Sequence, residues 1–185
     1  MCLASHAPAS ILRLHLRRTF DLRIDSQTTD NRPPLSGRNF RFAIVASRWN
    51  DSIVSRLVDG ALEVLKASGV LDDAIEIYRV PGSFELPLCA LKAAESKKFH
   101  AVICLGVVIR GETPHFDFVA AEAARGISDV SLKSGVPVMF GVITANTVEQ
   151  ANRRAGAKHD NKGYEAALAA IEVVNLYREE FDHGT

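Results

Sequence analysis

Unbroken apolar stretches alternate with amphipathic ones along most of this chain. His100 to Val108 is rich in β-branched residues and has no polar alternation, the pattern of a strand buried on both faces of a parallel sheet. Arg41 to Ala46 reads as the first core strand, Ala74 to Val80 as the second and Val136 to Thr144 as the fourth. Between the first two, Val54, Leu57, Val58, Ala61, Leu62 and Leu65 recur at three- and four-residue steps. That is one helical stripe, with Asn50 or Asp51 as N-cap and Gly69 as C-cap. A second helix is predicted from the Pro87 region to about Lys97, with proline tolerated in its first turn. Phe116, Ala120, Ala123, Ile127 and Val130 mark a third, closed by Ser134-Gly135. Thr147 to Ala155 is a short fourth, and Ala167, Ala170, Ile171, Val174 and Tyr177 stripe the last. Four alternations of strand and helix predict a parallel sheet with helices on both faces and right-handed crossovers. Such a narrow sheet has two open edges that invite pairing with another chain. Residues before Arg41, if extended, would supply a strand to a neighbour, so a homo-oligomer is expected.

Composition narrows the class. With 185 residues, 47 % hydrophobic and 24 % charged, the chain suits one domain with a full core. Zero formal net charge argues against a broad grip on nucleic acid or an anionic membrane. No apolar run reaches membrane-spanning length. Cys2, Cys89 and Cys104 are scattered and odd in number, the pattern of buried thiols in a reducing, cytoplasmic compartment. Met1 to Phe20 has arginines and no acidic residue. It reads as an organelle-targeting peptide, a disordered tail or an upstream start. Residues 1–38 are therefore taken as an extension and linker ending in Arg32-Pro33-Pro34-Leu35-Ser36-Gly37, and 39–185 as the folded domain.

The chemistry-bearing residues lie just after the predicted strands, where open α/β sheets bind ligands. Trp49 follows the first, Ser83-Phe84-Glu85 the second, Arg110 to His115 the third, and Thr144 and Asn146 the fourth. Gly106 and Gly111 have P-loop spacing, but Glu112 stands where lysine is required, which argues against triphosphate chemistry there. His115-x-Asp117 offers two metal ligands with no third or fourth nearby. His115 is either a general acid/base, its unperturbed pKa lying near neutrality, or a helix N-terminal residue bonded to backbone. A tryptophan such as Trp49 is more often structural than not, Phe84 is as readily core as stacking surface, and Glu85 suits a helix first turn. Gathered at one rim, they suggest a pocket for a planar polar heterocycle, with Glu85 holding a hydroxyl or amine.

These segments resemble the lumazine synthase family. The resemblance rests on Val80-Pro81-Gly82-Ser83-Phe84-Glu85-Leu86-Pro87, on Leu105 to Gly111 leading to Thr113-x-His115-Phe116-Asp117, on Gly135-Val136-Pro137-Val138-x-Phe140-Gly141-Val142, and on Arg154-Ala155-Gly156 with Asn161-Lys162-Gly163. It spans about Phe40 to Tyr177. It implies a three-layer, flavodoxin-like α/β sandwich and a condensation without cofactor or metal. The implied substrates are two small molecules, 5-amino-6-ribitylaminouracil and 3,4-dihydroxy-2-butanone 4-phosphate. By the resemblance, Trp49 stacks on the pyrimidine. Ser83, Phe84 and Glu85 line the ribityl and pyrimidine pocket, with Val107, Val108 and Ile109 beside the ring. His115 transfers protons, and Thr113 with the backbone of Gly111 and Glu112 receives the phosphate, Arg154 being its cationic partner. Phe140 and Lys162 reach in from a neighbouring subunit of a pentamer, or of a larger shell of pentamers.

Three departures from the family pattern stand out. Trp49 replaces the more common phenylalanine, offering a surface for a larger flavin ring. His159-Asp160 occupies a loop that influences shell closure. Glu112 is electrostatically awkward beside phosphate unless it points away or pairs with Arg110. The rival readings are a non-catalytic flavin-binding protein and a shell-forming protein on the same scaffold.

Overall fold

A computed structural model describes residues 35–181, and the reading of residues 1–34, Cys2 included, lies outside them. Four parallel strands form one sheet in the order β2-β1-β3-β4. They are β1 (Phe42–Ser47), β2 (Ile75–Val80), β3 (Ala101–Ile109) and β4 (Val138–Ala145). The helices are α1 (Asp51–Ala67), α2 (Leu86–Glu95), α3 (His115–Ser134), α4 (Val148–Arg153) and α5 (Lys162–Glu180).

The central strands explain their own sequence. Phe42, Ile44 and Ala46 of β1 join α1 and α5 in one core, while Ala43 and Val45 join α2 and α3 in the other. Side chains alternate across a strand, so a strand covered on both faces must be apolar at every position. All six residues of β1 are buried.

Helix ends show why the sequence boundaries shift. Gly69 has φ +85°, the Gly69 N–H donates to Lys66 O (2.9 Å) and the Val70 N–H to Leu65 O (3.0 Å). This paired pattern satisfies the last carbonyls of α1. At its other end Asn50 occupies the N-cap position with φ 58°, but its side chain makes no capping bond. Its carbonyl accepts from Ile53 and Val54 instead, and Asp51 pairs with Arg79. Helix α2 stops at Glu95 rather than Lys97, because Ser96 Oγ donates to Ala93 O and Lys97 turns left-handed. Strand β4 starts at Val138 because Ser131 Oγ holds both Val136 O and the Val138 N–H in the turn after α3. Asp72–Ala74 and Ser83–Glu85 are short 3-10 turns. Tyr177 leaves the buried stripe of α5 and packs edge-on against exposed Phe181. Leu35 packs against the core, and Ser36 and Gly37 hydrogen-bond to Asn175 and Ser68.

The chain runs from β1 outward to β2, then returns to place β3 on the other side of β1. That reversal opens a crevice at the carboxyl ends of β1 and β3.

Candidate active site

The crevice is an open cleft of ≈ 210 Å³. Trp49 and Asn50 line it from the loop after β1, Ser83 from the turn after β2, and Val107, Val108 and Ile109 from the end of β3. Gly111, Thr113, His115, Phe116 and Val119 complete it from the next loop and the first turns of α3.

Each side chain is held by local chemistry. The Trp49 N–H donates to Pro81 O (3.0 Å), tying the β1 loop to the β2 loop. A Cβ at Gly82 would lie 3.1 Å from Trp49 Cε3 and 3.2 Å from Glu85 Oε2, so glycine lets the indole and the carboxylate sit close without a shift. The indole is 66 % exposed, with a broad aromatic surface at the rim. Glu85 Oε2 accepts from the Gly82 N–H (2.8 Å), so one carboxylate oxygen is taken by backbone.

Ser47 and Ser83 carry buried hydroxyls without hydrogen-bond partners among the described residues. An unpaired buried hydroxyl costs about 1–3 kcal/mol. For Ser83, which lines the cleft, a polar group arriving there would relieve that cost. A Cβ at Gly106 would stand 2.6 Å from Ser83 Oγ and 3.3 Å from Ser47 Oγ, so the glycine makes space for both.

His115 is exposed as the first residue of α3, and no described residue hydrogen-bonds its imidazole. The backbone-bonded reading of His115 thus has no partner here. Arg110 binds Asp117 by two bonds, of 3.1 and 2.7 Å, rather than Glu112. Those bonds hold the Asp117 carboxyl below its ordinary range. Glu112 is exposed and does not line the cleft.

Phe84, Glu85, Phe140, Arg154 and Lys162, with Thr144 and Asn146 after β4, also stand outside the cleft of this protomer. Phe140 pairs with Cys104 on the edge strand, five residues before Ala145. At about 3.3 Å per residue it lies roughly 16 Å below the rim. Arg154 Nη2 donates to Glu165 Oε1 (2.7 Å) and Lys162 Nζ to Glu165 Oε2 (3.0 Å). Burial pushes the Glu165 carboxyl up, but the bonds from Lys162 and Arg154 outweigh it and the net shift is downward.

A family model described as 6,7-dimethyl-8-ribityllumazine synthase matches residues 39–178. A protein of that name from Syntrophus aciditrophicus is 56 % identical over 145 residues, covering 78 % of this chain and 94 % of the relative. Counterparts from Desulfatibacillum aliphaticivorans (77 % and 92 % covered) and Chlorobium luteolum (78 % and 93 % covered) are each 56 % identical as well, over 142 and 144 residues.

The chain belongs to the lumazine synthase family.

In this chain, sequence patterning missed Asn50, Phe116 and Val119 as lining residues and Glu165 as the partner of Arg154 and Lys162. Phe116 and Val119 carried a usable signal, since they sit one helical turn apart on the face next to His115. Asn50 carried none, because its left-handed backbone depends on the tertiary turn.

Proposed function

We propose that this protein condenses 5-amino-6-ribitylaminouracil with 3,4-dihydroxy-2-butanone 4-phosphate to 6,7-dimethyl-8-ribityllumazine, with loss of phosphate and water. The observation that carries the reading is the rim of Trp49, Ser83, Gly111, Thr113 and His115 around one cleft in a chain of this family.

The amine attacks the ketone and loses water to form an imine. Elimination of phosphate and ring closure with loss of a second water follow. Each step needs a proton moved on or off nitrogen or oxygen, which suits His115. Trp49 stacks on the pyrimidine, Val107, Val108 and Ile109 flank it, and Ser83, Phe84 and Glu85 hold the ribityl chain. The phosphate sits against Gly111, Glu112 and Thr113 at the start of α3, where backbone N–H groups and the helix dipole favour an anion. Much of the rate comes from holding two reactants together.

A cleft of ≈ 210 Å³ is smaller than the roughly 300–1,000 Å³ usual for ligand sites. We infer that a neighbouring copy completes it, with Arg154 meeting the phosphate and Phe140 and Lys162 closing over the ring, in a pentamer or a shell of pentamers. Arg154 then exchanges part of its bond to Glu165 for the phosphate, a contact that a guanidinium fork suits. No described helix is long and apolar enough to cross a membrane. The assignment includes a cytoplasmic setting, with residues 1–38 an extension that precedes the family match.

Mixing purified protein with the two substrates tests the reaction. Lumazine absorbance is the expected outcome, and its absence with intact substrates would leave a flavin-binding or shell-forming protein.

A further inference from the structure

Arg110 is the most heavily engaged side chain at the rim, yet it does not line the cleft. Its guanidinium donates twice to Asp117, at 3.1 and 2.7 Å, and through Nε to Asn146 Oδ1 at 3.1 Å. Its carbon centre lies 4.2 Å from the centroid of Phe116, a ring that does line the cleft. The Arg110 N–H donates to Ala145 O, and the Asn146 N–H to Gln150 Oε1. One planar group thus joins three places: the end of β3, the first turn of α3 and the loop after β4. The chain between Arg110 and Asp117, residues 111–116, contains Thr113, His115 and the backbone amides assigned to phosphate.

We propose that Arg110 and Asp117 form a positioning clamp that fixes the 111–115 segment, setting the phosphate-binding amides and His115 relative to Trp49 and Ser83. The inference rests on the reaction assigned above and deepens it. Five rigid donors let arginine hold a carboxylate in a fork and a second acceptor at once, which lysine cannot reproduce. The clamp touches neither substrate, so its effect is geometric, and a misplacement of about 1 Å costs up to about 10²-fold in rate. Because the pair is exposed, its removal should leave overall stability nearly intact.

The test compares the full-length protein with Arg110→Ala, Asp117→Ala and Arg110→Lys. Amide hydrogen exchange in the first turn of α3, residues 117–119, where the Asp117 N–H donates to Pro114 O, is expected to accelerate in both alanine variants, with the exchange of β1 and β3 unchanged. In steady-state kinetics kcat should fall and KM for the butanone phosphate rise, together lowering kcat/KM by about 10- to 10²-fold. KM for the ribityl pyrimidine should hold, as should quenching of Trp49 fluorescence by the lumazine product. Arg110→Lys should recover part of the loss. If Arg110→Ala proves unstable, Arg110→Lys and Asp117→Ala carry the same comparison. Unchanged exchange at 117–119, or equal loss for both substrates and the product, overturns the clamp. Absence of turnover in the unmutated protein would count against the reaction alone, because the exchange rates decide the clamp in either case.

Discussion

His115 stands first in α3 with its imidazole exposed, so replacing it tests chemistry with little disturbance of packing. His115→Ala should lower kcat by no more than roughly 10²–10⁴-fold and leave product binding unchanged. Steady-state kinetics and a binding titration check this, and full turnover in the variant would remove His115 from the mechanism. Trp49 is the only tryptophan, so its fluorescence reports on the rim without a second indole. Lumazine or riboflavin should quench it. Trp49→Phe should weaken flavin binding by up to about tenfold while catalysis survives, since offset stacking is worth roughly 0.5–1.5 kcal/mol beyond buried area. Unchanged affinity would make the indole a packed loop residue. The cysteines differ by position. Burial pushes the Cys104 thiol far above its ordinary range, whereas Cys89 is only partly covered. Because the thiolate is the reactive form, alkylation mapped by peptide should label Cys89 well before Cys104 in the folded protein.

Among the elements, the strongest signals in the sequence came from those with a core on both sides. β1, up to Ser47 at its end, and β3 had to be apolar, and α1 had to carry one clean stripe, so their existence was legible. Their ends were not, because Lys97, Ser131 and Asn50 terminate elements through tertiary turns that patterning does not record. The site divided in the same way. Trp49, Ser83 and the residues at and after the end of β3 converge on the cleft, whereas Phe84, Glu85, Phe140 and Arg154 carry motif signals without lining it in their own protomer. The Asn161-Lys162-Gly163 motif is read doubly. Asn161 Oδ1 caps α5 by accepting from Gly163 and Tyr164, and a Cβ on Gly163 would lie 1.9 Å from Leu57 O. Gly163→Ala should therefore push α5 off α1 and lower stability by at least about 1–3 kcal/mol, measured by urea unfolding. Glu165 gives a pH test. Its folded pKa is lowered, so its ion pairs stabilise the fold above the ordinary carboxylate range, near pH 4.3. That contribution is lost as pH falls through the folded value. The stability difference between the unmutated chain and Glu165→Gln should be greatest at neutral pH and shrink on acidification.

At the scale of the whole molecule, the single protomer presents a cleft at one rim and two open sheet edges, β2 and β4. If neighbouring copies complete each other's sites, His115→Ala and Arg154→Ala chains should both be impaired alone yet regain activity when unfolded and reassembled together. In a random equal mixture roughly a quarter of the interfaces would pair an intact His115 with an intact Arg154. No recovery above the separate variants would place Arg154 and His115 on one protomer's side of the site. The sheet order also bears on how the protein is made. β3 is the most apolar stretch, but one of its covers is α5, which ends at Glu180. About 70 residues must follow β3 out of the ribosome before that cover exists, which takes roughly 4–14 s at translation rates of about 5–20 residues per second. During that interval the nascent chain displays a long β-prone segment, a hazard for aggregation. Chains truncated before α5 should accordingly collect in the insoluble fraction, and slowing synthesis late in the message should raise the demand for chaperones.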